Sequence, residues 1–128
     1  MNGGERGATA HPAERDWETW DDPARGRLRW CLLDDGSGTP DQPTTVGVAE
    51  LAADGRLNRH RHTATELYVV LEGEAVVSVD GTDREVGPGT LVRLPGDVEH
   101  GIRTAGGPVR FLFVFPGASF DDVVYRFD

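Results

Sequence analysis

The sequence predicts an all-β chain: a sandwich or barrel of two antiparallel sheets. Three observations carry this. Short apolar-polar alternating runs recur along most of the 128 residues, and side chains on a strand alternate between two faces. Gly, Pro and Asp-Gly punctuate the runs at short intervals, as hairpin and loop residues do. No stretch of ten or more residues shows helical periodicity, and there is no internal repeat.

Taken in order, residues 1–16 are polar and rich in Gly, Ala and charge. With the next few residues they are expected to form a flexible N-terminal segment, 1–23, ahead of a barrel domain, 24–128. Trp17 and Trp20 stand three apart, as on one face of a short helical turn, before Pro23. Arg27–Leu33 reads as a strand, 34–43 as a loop rich in Gly, Pro and Asp, and Thr44–Leu51 as the next strand. After the Asp54-Gly55 turn, residues 57–62 extend into a further strand. Glu66–Glu72 and Glu74–Asp80 form a hairpin around Gly73, and Thr82–Val86 returns after Asp80-Gly81. Thr90–Leu94, His100–Thr104 and Val109–Phe115 follow. The last of these is apolar on both faces and reads as a central strand. Val123–Phe127 is expected to be a final short strand.

Bulk composition narrows the function. The net charge is −9 and the pI about 4.8, which opposes binding to nucleic acid or to an anionic membrane surface. No apolar run is long enough to span a bilayer and no apolar leader opens the chain, so a cytoplasmic location is expected. All thirteen basic residues are arginine, and without lysine no Schiff-base chemistry is available. The single cysteine, Cys31, lies in the apolar run Trp30-Cys31-Leu32 and reads as a buried small hydrophobe.

Chemistry concentrates in two stretches. His60 and His62 stand two apart and Glu66 follows, so the three can share one strand face if the chain stays extended or bends slightly at 63–65. His100 follows the Pro95-Gly96 turn. Imidazoles and a carboxylate are ligands for divalent first-row metals, and four of them leave open positions for a substrate or dioxygen if the ion is six-coordinate. The fourth histidine, His11, sits in the polar tail and is not a candidate ligand.

These stretches resemble the two motifs of the cupin family. The first motif runs Gly, five residues, His-x-His, three or four residues, Glu, six residues, Gly. Gly55, His60, His62, Glu66 and Gly73 follow it with a four-residue first gap. The second runs Gly, five residues, Pro-x-Gly-x-x-His, three residues, Asn. Gly89, Pro95 and His100 match it, whereas Asp97 stands where Gly is usual and Thr104 where Asn is usual. The resemblance implies a small double-stranded β-helix of jelly-roll type. It implies one divalent ion on His60, His62, Glu66 and His100, with Fe²⁺ the first choice and Mn²⁺, Ni²⁺, Co²⁺ or Zn²⁺ alternatives. It implies a small-molecule, oxygen-bearing substrate, with an Fe(II)-dependent dioxygenase set first. Isomerase, cyclase, decarboxylase and lyase reactions, or metal and ligand binding without turnover, are the alternatives.

Tyr68 shares the Glu66 face. As a residue it reads as core packing. By resemblance to dimethylsulfoniopropionate lyases of the cupin family, it is the catalytic candidate, a general base. Arg27 and Arg29 share a face and could clamp a carboxylate, or be solvated. Glu50 reads as a pocket carboxylate or an edge charge. Phe111, Phe113 and Phe115 read as core. Cupins of this size also imply a homodimer, for which Trp17, Trp20 and Trp30 are candidate anchors.

Overall fold

The computed structural model describes residues 7–128, so any account of residues 1–6 in the proposed flexible segment lies outside it. Ten strands form: β1 Glu18–Asp22, β2 Gly26–Asp34, β3 Thr44–Leu51, β4 Arg56–His60, β5 Glu66–Glu72, β6 Ala75–Val79, β7 Thr82–Val86, β8 Leu91–Leu94, β9 His100–Thr104 and β10 Val109–Pro116. Among the described residues the only helical pieces are two three-residue 3₁₀ turns, Pro12–Glu14 and Phe120–Asp122. Among the described residues, no helix is long and apolar enough to cross a membrane.

All strand pairs are antiparallel and follow the order β7-β6-β9-β4-β2-β3-β10-β5-β8, with β1 added beside β2. The seam between β4 and β2 is only two residues wide, Gly26 against Leu57 and Arg27 against Arg56. The path is thus two sheets, one of β7-β6-β9-β4 and one of β2-β3-β10-β5-β8, curled towards each other and joined at that seam. Period-two alternation fills the space between them. Tyr68 and Val70 of β5, Val77 of β6, Ile102 of β9 and Phe111, Phe113 and Phe115 of β10 are all buried. β10 lies centrally between β3 and β5, as its two apolar faces predict.

Two expected elements differ. Residues 18–22 form a strand paired with β2 from Glu18↔Trp30 to Asp22↔Gly26, not a helical turn, so sheet pairing starts ahead of residue 24. Trp20 is turned inward by strand parity and packs edge-on against Trp30, with ring centroids 5.7 Å apart. At the other end, residues 123–127 form no strand. Their single bridge joins Arg126 to Arg61.

Candidate metal centre

The expectation that one strand carries three ligands needs correction. β4 ends at His60, the chain turns through 61–65, and Glu66 opens β5 in the opposite sheet. His100 opens β9 and is the direct cross-strand partner of His60. The four side chains therefore converge from both sheets and the corner between them. Their ligating atoms all lie within 4.8 Å of one another. Exposures are 1% for His60 and His100 and 2% for His62 and Glu66.

The backbone aims each ring. Nδ1 of His60 lies 2.7 Å from the Asn58 carbonyl, Nδ1 of His62 2.8 Å from that of Ala64, and Nδ1 of His100 2.9 Å from that of Val98. A carbonyl only accepts, so each Nδ1 carries a hydrogen and each neutral ring has its Nε2 lone pair for an ion; when protonated, His62 donates from Nε2 to Glu66 instead. Glu66 Oε1 lies 3.1 Å from His62 Nε2 and 3.2 Å from His100 Nε2. Two donors each roughly 2.1 Å from a common ion at a right angle would be about 3 Å apart. His60 Nε2 is buried with no partner at all. A buried lone pair without a partner is costly, and a metal at the shared point would satisfy it. The residues fit a divalent ion.

Proton affinities follow from the same packing. Burial, and then the neighbouring His100, lowers His60 to about 4. Burial also disfavours charge on His62 and Glu66, but their mutual hydrogen bond and attraction outweigh it. His62 is raised, and Glu66, which His100 also supports, is lowered. The cluster is built to hold positive charge beside Glu66.

An aromatic chamber adjoins the ligands. Tyr68 is 1% exposed, on the Glu66 face as expected, and its hydroxyl has no hydrogen-bond partner. Burial, and then the Glu66 charge, holds the Tyr68 phenol well above its ordinary range; Tyr125 is raised for the same two reasons. A cavity of about 20 Å³ lies among Tyr68, Tyr125, Trp20, Trp30, Phe113 and Phe120, with Glu66 on its wall. That is room for about one water. Tyr125 and Phe127 went unrecognised in the sequence. Their rings lie 5.2 Å from the His60 ring, and Tyr125 lies 5.3 Å from His62. Two aromatics spaced two apart near the chain's end were the only available signal.

Other candidates fall elsewhere. Arg27 and Arg29 line an outer groove of about 480 Å³, away from the ligands, because Leu28 between them takes the inward position. They pair with Asp54 and Glu50, both at 2.6 Å, and Glu50 also faces Arg110 at 3.1 Å. These are outer-face ion pairs, not a carboxylate clamp. Cys31 is fully buried, and burial raises its thiol. His11 accepts from the Ala13 amide in an exposed turn. Trp17 donates to the Pro12 carbonyl and lies under the Arg29 guanidinium, and Trp20 and Trp30 face inward. Within one protomer all three rings already pack against other side chains.

A family model for the cupin domain matches residues 47–115, more than half the chain. The chain belongs to the cupin family. This cupin is 40% identical over 108 residues to dimethylsulfoniopropionate lyase DddW of Ruegeria pomeroyi, covering 83% of this chain and 70% of the relative. It is 30% identical over 89 residues to dimethylsulfoniopropionate lyase DddQ of the same organism, covering 69% of this chain and 44% of that protein. It therefore spans less than half the length of DddQ. Among solved structures, the polyketide cyclase RemF of Streptomyces resistomycificus superposes with a TM-score of 0.77 at 24% identity, covering 94% of this chain and 84% of that one. That likeness concerns the fold.

Proposed function

We propose that this cupin is a metal-dependent lyase that cleaves dimethylsulfoniopropionate into dimethyl sulfide and acrylate. The observation that carries the reading is a phenol without a partner, Tyr68, buried beside the four-ligand cluster in a chain 40% identical to a lyase of that name.

The substrate is a small zwitterion with a sulfonium at one end and a carboxylate at the other. Electron-rich aromatic faces attract onium cations, and the chamber offers Trp20, Trp30 and Tyr125. No arginine lines that cavity, so the carboxylate end is assigned to the four-ligand end. A divalent ion held there supplies a Lewis acid for the carboxylate and positive charge that favours an ionised phenol nearby. The Tyr68 phenol first gives its own proton to water, a loss that burial opposes and a cation at the ligands would favour, and its oxygen then takes a proton from the carbon next to the carboxylate. The C–H electron pair becomes the carbon–carbon double bond, the C–S bond breaks, and its electrons leave with neutral dimethyl sulfide. Acrylate remains, and the proton stays on Tyr68 until water removes it. As it stands the chamber holds about one water, so its aromatic walls must part to admit the substrate.

The test is headspace detection of dimethyl sulfide from metal-loaded protein and dimethylsulfoniopropionate, with and without dioxygen. Equal release in both is expected. Tyr68→Phe should lower kcat on the order of 10²-fold or more while metal content is unchanged. Absence of dimethyl sulfide release would reject the lyase reading. Oxygen-dependent consumption of another metabolite would restore the dioxygenase set first from sequence.

A further inference from the structure

We infer that residues 123–128 form a gate over the metal centre, and that Asp97 and Arg126 are positioning residues that hold it shut. This rests on the four-ligand metal centre but not on the lyase reading.

The four ligands are nearly fully buried, and the space beside them has room for about one water. A metal ion or a substrate needs a way in, so some wall must move. Most walls are strands in continuous ladders. The segment after Asp122 is different. Up to Phe120 it is tied down: Thr45 Oγ1 donates to the Ala118 carbonyl at 2.9 Å, and the Phe120 amide donates to the Asp35 carbonyl at 2.9 Å. Beyond Val123, among the described residues, two backbone hydrogen bonds hold it to the barrel. They run between Arg61 and Arg126, each 2.9 Å. Val124 is 68% exposed. The segment is thus sparsely bonded by backbone, yet it packs Tyr125 and Phe127 against the core and on the His60 ring. Segments with few backbone bonds and exposed side chains open most readily.

The holding pair explains an oddity of the second motif. Asp97 stands where the family has glycine, and its φ is +66°, a left-handed conformation that most side chains avoid but Asp and Asn tolerate. Its amide donates to the His62 carbonyl at 2.8 Å, and its carboxylate accepts from Arg126 Nη2 at 3.3 Å. Glycine would suit the backbone better but could not reach Arg126. Both side chains are at least half exposed, so the pair is weak and salt-sensitive, as a gate that opens repeatedly requires.

The test uses Zn²⁺-loaded protein and measures two things. One is the rate at which a chromogenic chelator in excess extracts the metal. The other is hydrogen exchange at the Arg61 and Arg126 amides, which the closed gate protects. Arg126→Ala and Asp97→Asn should each raise both rates by roughly three- to tenfold, and the double variant should add nothing further. Asparagine keeps the left-handed backbone, so Asp97→Asn removes the charge without disturbing the turn. High salt should accelerate wild type and leave the variants unchanged. Extraction and exchange at wild-type rates in both variants would overturn the gate. So would faster exchange spread evenly over the β10 and β5 amides, since that reports loosening of the whole barrel. Neither readout involves turnover, so the lyase reading can fail while the gate stands.

Discussion

His60 shows how one residue can be costly to the fold and necessary to the site. It is buried, its Nδ1 is fixed by the Asn58 carbonyl, and its Nε2 faces no protein partner. Folding holds it neutral, with its pKa moved from 6.5 to about 4. The unfolded chain thus binds more protons than the folded one between those values. The stability linked to neutral His60 is full above pH 6.5 and is lost as pH falls towards 4. It is worth up to about 3 kcal/mol. His62 is shifted the other way, so the comparison that isolates His60 is metal-stripped wild type against His60→Gln in urea melts from pH 7.5 to 4.5. Wild type should lose on the order of 2–3 kcal/mol more than the variant over that range; parallel curves would mean that His60 is not held neutral. With metal present, proton and ion compete for the same lone pairs, so occupancy should also fall below about pH 6. His62→Ala or His100→Ala should strongly lower metal content measured by elemental analysis, with the barrel still folded. His11→Ala should match wild type at about one equivalent. A His100→Ala protein that binds as well as wild type would remove the site from these residues.

At the scale of elements, the centre depends on a corner and a turn that touch. A Cβ on Gly96 would run into the Thr63 carbonyl oxygen, far inside contact distance, and Thr63 follows His62 in the corner between the sheets. Gly96→Ala should therefore cost roughly 2–4 kcal/mol and weaken metal binding as well, because relieving the clash displaces the corner. Thermal melts and metal titration of this variant check both; an unchanged melt would mean the turn is free to move. This contact also explains why the glycine sits one place early in the motif: position 96 needs the missing Cβ, while position 97 tolerates Asp at positive φ. Much of this level was legible in sequence. Period-two runs gave the strands from Arg27 to Phe115, because they depend on local chain geometry, whereas His60, His62, Glu66 and His100 were picked out by their motif resemblance and are brought together by the fold from both sheets. The failures share a cause. Glu18–Asp22 became a strand because β2 offered an edge, although the Trp17 and Trp20 spacing looked helical. Residues 123–127 alternate like a strand, yet only Arg126 finds a partner. The place of Tyr125 at the metal depends on where the chain lands after β10, and no local pattern encodes that.

At the scale of the molecule, the remaining question is which surface a second copy would cover. The indoles are used within the protomer, but the outer face of the larger sheet offers an apolar row. Leu67 and Val69 of β5 stand beside Val114 and Leu112 of β10 by register, and Leu91 of β8 stands opposite Val69. Leu91 is 55% exposed and Leu71 40%. β8 is also an end strand with one unpaired edge, whereas β7, at the other end of the path, presents exposed Asp83, Arg84 and Glu85 that discourage pairing. A two-fold axis beside β8 would cover the apolar row with its own copy, since a symmetric dimer uses one patch twice. At a net charge of −9, two copies repel at long range, so an interface of this kind has to be apolar at its centre and should tighten with salt. We expect a homodimer by light scattering at micromolar concentration. Leu91→Arg should convert it to monomer without lowering metal content, because the side chain lies outside the barrel and far from the ligands. A wild-type monomer would refute the dimer, and a Leu91→Arg protein that stays dimeric would move the interface to another face.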